Sequence, residues 1–332
     1  MKETLKKQPT AVPSTPFVLE AAKQREKLNA IMEKLEQGVK GLFESEQYKT
    51  YLNTLSKFHN YSSNNCLLIA LQMPSATLVA GFYTWQSKFK RSVNKGAKGI
   101  KIIAPSPVKV KKLVDKLDEK GNPVTDSNGK RVKEEEEVSV SSYRIATVFD
   151  ISQTNGNPLP QIGVNELIET VNGYKKLFTS IEKTSPVPVD FELISTGAKG
   201  YYSITEKRIA INKGMSELQN LKTLIHEVAH ARIHDRDKNN SKDNPQQNRR
   251  TREVEAESVA YTVCQHFGLD TSRYSFGYIA SWSGNKQLDT LKASLETIRK
   301  EADEIITIAN KHLSQAIQNK EHAATLPVQP YR

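Results

Sequence analysis

Between Phe17 and Phe58 the apolar residues recur at three- and four-residue steps: Leu28, Ile31, Met32, Leu35, Val39, Leu42 and Phe43. That period puts them on one stripe and predicts helix. A further helix is expected from Asn64 to Met73, capped by Ser62 or Ser63 and stopped by Pro74. Phe82 to Arg91 reads as another short helix. The period then changes to two. Residues 99–105 and 108–114 read as strands, and Val138 to Phe149 as a third, with Tyr143, Ile145, Thr147 and Phe149 alternating. Between them, Asp115 to Glu137 is polar and carries Gly121-Asn122-Pro123 and Asn128-Gly129, which predicts a mobile charged hairpin or loop over 115–137. Its acidic run Glu134 to Glu137 is expected to face water rather than pair with a basic surface.

The second half returns to helix. One is expected from Asn165 to Ile181, then two short strands at Phe191–Ser195 and Arg208–Ile211, then an apolar helix around residue 226. Residues 235–249 are polar and read as a mobile loop. Helices follow over 250–267, 270–282 and 286–318. The stretch Gln153-Thr154-Asn155-Gly156-Asn157-Pro158-Leu159-Pro160 is the best linker. Residues 1–15 and 321–332 read as disordered tails. The pattern is that of an α+β protein with two domains, a helical and β domain over 16–154 and a mainly helical one over 155–320.

Composition narrows the setting. No apolar run approaches the roughly 20 residues needed to span a bilayer, and the first residues lack the apolar core of a signal peptide. Cys66 and Cys264 lie in apolar contexts and read as buried thiols, so a cytoplasmic location without membrane contact is expected.

The net charge of +11 is uneven. Residues 1–150 hold 25 basic and 16 acidic residues, a balance of +9, which leaves about +2 for the rest. From Gln47 to Val114 there is no Asp or Glu, against eleven Lys and Arg. A polyanion partner would explain this, and so would a merely soluble basic surface. Gly81–Arg91 mixes rings with cations, and Val93-Asn94-Lys95-Gly96-Ala97-Lys98-Gly99 is a basic turn. Cations neutralise phosphates and rings stack on unpaired bases, so the mixture suits single-stranded nucleic acid better than duplex. Phe82, Trp85 and Phe89 have helical spacing, which assigns at least two of them to a core. The contact candidates are Tyr61, Asn64, Asn65, Lys88, Lys90, Arg91, Lys95 and Lys98.

His226-Glu227-Val228-Ala229-His230 lies within the apolar helix. Residues four apart share a helix face, so both imidazoles can grip one Zn²⁺ while Glu227 takes a proton from metal-bound water. Two surface histidines would be the ordinary alternative, but Leu224, Ile225, Val228 and Ala229 make the helix apolar over much of its girth. The third ligand is assigned to Glu253 on the next helix. Glu257, one turn on, becomes the acceptor that orients a ligand histidine, although the two glutamates could exchange roles. Glu255 points elsewhere. His234 is a weaker ligand candidate, placed at the helix end facing solvent. Tyr201, Tyr202 and Tyr261 are open candidates for stabilising an oxyanion. The expected reaction is water attack on an amide carbonyl. Zn²⁺ fits the ligand types, with Mn²⁺ or Co²⁺ as alternatives.

His226–His230 followed by Glu253-Val254-Glu255-Ala256-Glu257-Ser258-Val259-Ala260 resembles the zincin-like peptidase domains of the ImmA/IrrE type, over about residues 160–285. Asn60–Asn65, Ala76–Phe82, Val93–Ile102 and Val148–Thr154 together look like the N-terminal single-stranded-DNA-binding domain of ArdC-type antirestriction proteins, over about residues 20–155. Tyr274–Trp282 looks like a matching stretch of the same proteins. The resemblance implies a single-stranded-DNA-binding antirestriction protein of a plasmid, phage or conjugative element. It would protect incoming DNA and carry a HExxH metallopeptidase-like domain. Two rival readings are kept. One is a regulatory zinc metalloprotease that cleaves a repressor or host protein, with DNA serving for localisation. The other is a DNA-binding module whose metal is only structural.

Overall fold

The computed structural model describes residues 16–159, 171–235, 249–271, 276–277, 279–284 and 286–324. The expected tail at 1–15, residues 325–332 of the tail expected over 321–332, the end of the linker at Pro160, the start of the 165–181 helix, residues 236–248 of the expected polar loop and Tyr274, Ser275 and Tyr278 lie outside the described residues, whereas residues 321–324 are helical.

In chain order the elements are α1 (Pro16–Leu42), α2 (Ser45–Lys57), α3 (Ser63–Gln72), β1 (Val79–Gly81), α4 (Phe82–Ser87), β2 (Arg91–Val93), β3 (Ile100–Pro105), β4 (Val108–Asp115), β5 (Lys133–Val140), β6 (Tyr143–Asp150) and β7 (Thr154–Gly156). They continue with α5 (Val171–Glu182), β8 (Val189–Glu192), β9 (Gly200–Ser203), β10 (Arg208–Asn212), α6 (Glu217–Ile233), α7 (Arg249–His266), α8 (Ile279–Ser283) and α9 (Leu288–Ala324). The α+β expectation holds. No described helix is long and apolar enough to cross a membrane.

Two compact units form, interleaved in sequence. One combines the described residues up to Lys34 with Lys101–Thr147. The other combines Leu35–Ile100 with the described residues from Val148 onward. The division at residue 154 drawn from the linker signal is therefore not the division into compact units.

In the first unit, β4 and β5 form an antiparallel hairpin with Val108 opposite Val140 and Asp115 opposite Lys133. The acidic run is thus a strand of a hairpin, the first of the two forms expected here. Its register sets Glu137 opposite Lys111 and Glu136 opposite Lys112, and Lys111 Nζ reaches Glu135 at 3.1 Å. These pairs are exposed, so each adds little stability; what they set is the sign of the facing strand. The expected single strand from Val138 to Phe149 is broken at Ser141-Ser142 into β5 and β6. The hairpin end repeats one turn twice. Asp118 Oδ1 accepts from the backbone N–H groups of Lys120 and Asn122, and Asp126 Oδ1 accepts from those of Asn128 and Lys130. Gly121 and Gly129 take the positive φ that each turn requires.

The second unit has a continuous core. α2 buries Tyr48, Tyr51, Leu52 and Leu55 completely. Its polar groups bind α7: the Tyr48 hydroxyl meets Ser258 Oγ at 2.8 Å, Tyr261 donates to Asn53 Oδ1 at 2.7 Å, and His266 Nδ1 meets the Ser56 carbonyl at 2.9 Å. Phe43, Tyr48, Tyr261, Phe276 and Trp282 form one aromatic cluster. The helical stretch expected from Phe17 to Phe58 forms as two helices, α1 and α2, and between them buried Phe43 turns the chain into this cluster. α3 is capped by Ser62, whose hydroxyl accepts from Asn65 N–H, as expected.

Around β1 the chain is tied by Asp150. Val79 lies opposite Asp150 and Gly81 opposite Val148. The Asp150 carboxylate accepts from the N–H groups of Thr77, Leu78 and Ser152. A second sheet has the order β8-β10-β9, β10 running parallel to β8 and antiparallel to β9. Ile209, Ala210 and Ile211 at its centre are fully buried.

Candidate metal centre

α6 starts at Ser216, whose hydroxyl accepts from Gln219 N–H, and ends at His234. Its apolar residues Leu224, Ile225, Val228 and Ala229 are completely buried. That burial fixes the helix rotation, so the opposite positions 226 and 230 present both imidazoles to a common side, where α7 brings Glu253.

The donor atoms converge. His226 Nε2 lies 3.1 Å from His230 Nε2, 3.7 Å from Glu253 Oε2 in one direction, and His230 Nε2 lies 3.6 Å from the same oxygen. A tetrahedron of roughly 2.1 Å bonds to a metal has edges of about 3.4 Å. The three separations bracket that value, so the residues fit a small divalent cation. Two facing Nε2 atoms at hydrogen-bond distance cannot both carry protons, so at least one presents a bare lone pair.

The electrostatics agree. Burial opposes a charge on His226, yet the Glu253 and Glu257 carboxylates outweigh it and push the ring up to about 10. The two imidazoles beside Glu253 hold its carboxyl far below the usual carboxylate range. Burial lowers His230. This is a site with more negative than positive charge of its own, suited to a cation.

Glu227 is 8% exposed and lies between the two histidines on the helix. Burial raises its pKa, while the Tyr202 backbone N–H opposes that rise. The strand that supplies this N–H is β9, which the apolar pattern did not reveal. Gly200 of β9 explains the close approach. A Cβ there would lie 2.5 Å from Thr223 Cγ2 of α6 and 2.8 Å from the Ala210 carbonyl. A cleft of about 500 Å³ opens here, lined by Gly200, Tyr202, His226, Glu227, His230 and Glu253 among others.

Glu257 Oε2 lies 3.3 Å from His226 Nδ1, on the ring edge turned away from Glu253. His234 is a correction. It does not face solvent: it is 5% exposed, and its Nδ1 lies 3.1 Å from His230 Nδ1, on the side of that ring away from the donor cluster. The helix end sits against α7 rather than in water. Glu255, which points away from the cluster as expected, meets His234 Nε2 at 3.1 Å. Of the three tyrosines, Tyr261 is committed to Asn53 and Tyr201 donates to Glu192. Tyr201 and Tyr202 both line the cleft.

The basic segment sorts similarly. Lys88, Lys90, Lys95 and Lys98 are exposed, and Tyr61 and Asn64 are half-buried. Two candidates have structural roles. Asn65 is buried in α3. Arg91 donates to Thr154 Oγ1 and to the carbonyls of Thr154, Gly156 and Asn157, which clamps β2 to β7. The helix expected over Phe82–Arg91 ends at Ser87 for this reason. Trp85 is fully buried and donates to the Phe149 carbonyl. Phe82 is 49% and Tyr83 80% exposed, so Tyr83 is a presented ring that spacing alone did not single out.

Residues 22–149 match the N-terminal domain of anti-restriction factor ArdC, and residues 189–264 match the IrrE N-terminal-like domain of the M78 peptidases. The uncharacterised protein pXO2-81 of Bacillus anthracis is 30% identical over 324 residues, which cover 90% of this chain and 54% of that protein. The chain thus spans about half the length of this curated relative. Among solved structures, the metal-free antirestriction ArdC protein of plasmid R388 is 20% identical with a TM-score of 0.43, covering 78% of this chain and 86% of that one. Its Mn(II)-bound structure is 18% identical with a TM-score of 0.42, covering 76% and 85%. The chain carries an ArdC-type N-terminal domain over residues 22–149, followed by an IrrE-like, M78 peptidase-type domain over residues 189–264.

Proposed function

We propose that this protein is an antirestriction factor of a mobile genetic element, acting in the cytoplasm. Its N-terminal domain binds DNA that enters as a single strand and shields it from host restriction, and its second domain is a zinc-dependent peptidase. The observation that carries the peptidase half is the convergence of His226, His230 and Glu253 donor atoms within 4.8 Å of one another, beside buried Glu227. The nucleic-acid half is supported by the ArdC-type domain, by four exposed lysines at 88, 90, 95 and 98, and by the presented Tyr83 ring.

His226, His230 and Glu253 would hold the ion, which when bound acidifies a water and polarises a carbonyl. Zinc suits two nitrogens and one carboxylate, and Mn²⁺ or Co²⁺ suits them as well. Glu227 is the proton acceptor, and its burial raises its pKa, which suits a base that must also return its proton. Glu257 orients His226 from the far ring edge. β9 is the edge of its sheet and borders the cleft, so an extended peptide would lie along it by backbone pairing.

The test for DNA is fluorescence anisotropy with a labelled single strand and its duplex across a salt series. Tight single-strand binding with a steep salt slope supports the reading. Weak binding to both removes the DNA-escort role. A second reading, a regulatory metalloprotease that uses DNA for localisation, is favoured by the complete donor set with its buried base. It predicts a defined cleaved protein partner, and DNA protection that fails in Glu227→Gln.

A further inference from the structure

Behind the donor cluster, a line of buried polar groups leads from His230 to the far side of α7. His230 Nδ1 meets His234 Nδ1 at 3.1 Å, His234 Nε2 meets Glu255 Oε2 at 3.1 Å, and Ser294 Oγ donates to Glu255 Oε1 at 2.8 Å. His234 and Ser294 are each 5% exposed and Glu255 is completely buried. The residues come from three elements: His234 caps α6, Glu255 belongs to α7 and Ser294 to α9. A carboxylate with no exposure is costly unless donors surround it.

We infer that His234 and Glu255 are positioning residues for the metal ligand His230, forming a carboxylate–histidine–histidine relay. This rests on reading His226, His230 and Glu253 as metal ligands. The proton positions follow from the geometry. A ligand Nε2 must be bare, so His230 carries its proton on Nδ1. That N–H donates to His234 Nδ1, which must then be bare as well. His234 therefore holds its proton on Nε2 and donates it to Glu255. Ser294 fills the second Glu255 oxygen. Every donor meets an acceptor, and only one tautomer of each ring satisfies the line. The consequence is twofold: the His230 ring cannot flip without breaking its buried hydrogen bond to His234, and the Glu255 carboxylate raises the basicity of the ligand nitrogen through His234. His226 has its carboxylate, Glu257, directly at its ring edge at 3.3 Å. His230 reaches its own through one intervening imidazole.

The experiment is Zn²⁺ affinity of the full chain by competition with a chromophoric chelator, together with the visible absorption of the Co²⁺ form. The variants are His234→Phe, which keeps a ring but offers no acceptor, and His234→Gln, which restores an oxygen acceptor. Loss of such an outer partner weakens metal binding by about 10–100-fold. His234→Phe is expected to show that loss and a shifted Co²⁺ band, and His234→Gln to recover most of both. If folded His234→Phe binds zinc within about twofold of wild type with the same Co²⁺ band, the relay is overturned while the metal site stands. If wild type itself binds no zinc, the ligand reading falls and the relay with it. Should His234→Phe fail to fold, Ser294→Ala decides. A binding loss of at least about threefold supports the relay, and unchanged affinity overturns it.

Discussion

A carboxylate buried at a strand end must be given donors, and Asp150, 1% exposed, accepts from three backbone N–H groups. Burial would raise its pKa, but these donors win and hold it below the ordinary value. A depressed folded pKa means a contribution fully present above the unfolded pKa and lost as pH falls through the folded one. Asp150→Asn should therefore cost about 1.5–3 kcal/mol at pH 7, and the gap to wild type should close below pH 4, in urea titrations at several pH values. At the candidate centre, Glu227→Gln removes the base but none of the donors. It should abolish hydrolysis of a labelled casein while zinc affinity and single-strand binding stay within error; a surviving metal-dependent rate would assign the base elsewhere. Tyr83→Ala should weaken single-strand binding by about 1–3 kcal/mol if its ring stacks on a base, read by the same anisotropy titration. The pair His226 and His230 was legible because a spacing of four on a helix is local. His234 and Glu255 were not, because the pairing depends on how the end of α6 meets α7, and no local period encodes that.

At the scale of elements, the His-bearing helix and the edge strand over it are one device. The helix announces itself through its apolar run, and the structure adds the Ser216 cap. β9 does not: four residues, each half-buried, carry no alternation to read. Its place is set by Gly200, which lets the strand lie against Thr223 and bring Tyr202 N–H to Glu227. Gly200→Ala should lower stability by about 1–3 kcal/mol, because one of the atoms met is the Ala210 carbonyl and backbone cannot swing aside. Thermal melts of Gly200→Ala and of Gly200→Ala with Thr223→Ser measure this. If relief at Thr223 restored full stability, the side chain rather than the sheet would be the constraint. The β4–β5 hairpin shows the converse case. Residues 115–137 allowed a hairpin or a loop, and the cross-strand register with Val108–Asp115 is what makes the acidic run a strand.

For the whole molecule, the interleaved units matter more than the linear order of family domains. α2 belongs by sequence to the ArdC-type region, yet it buries Tyr48, Tyr51, Leu52 and Leu55 in the core it shares with α7. A fragment starting at residue 155 would expose the α7 side of that core and leave Ser258 and Tyr261 without Tyr48 and Asn53. It should be poorly folded, with weak near-ultraviolet dichroism and dye binding, whereas the chain from residue 16 melts cooperatively. A cooperative, zinc-binding fragment would show that the second family domain stands alone.

What the sequence determined by itself is what short-range periodicity and residue chemistry encode: the helices, the α+β class, the two-histidine grip with its glutamate, the charge imbalance and the resemblance to ArdC-type proteins. Tertiary structure decided which of several nearby groups converge. It chose Glu253 to sit with the two histidines and Glu257 to sit behind one of them. It buried His234 against Glu255, tied Arg91 into a strand clamp, presented Tyr83 to solvent and built one core from residues some 200 positions apart, as in Tyr48 and Ser258, separated by 210. The reason is physical. A helix or strand fixes angles between neighbours along the chain, but distances between elements come from packing volume and from the satisfaction of buried polar groups, which are properties of the assembled core.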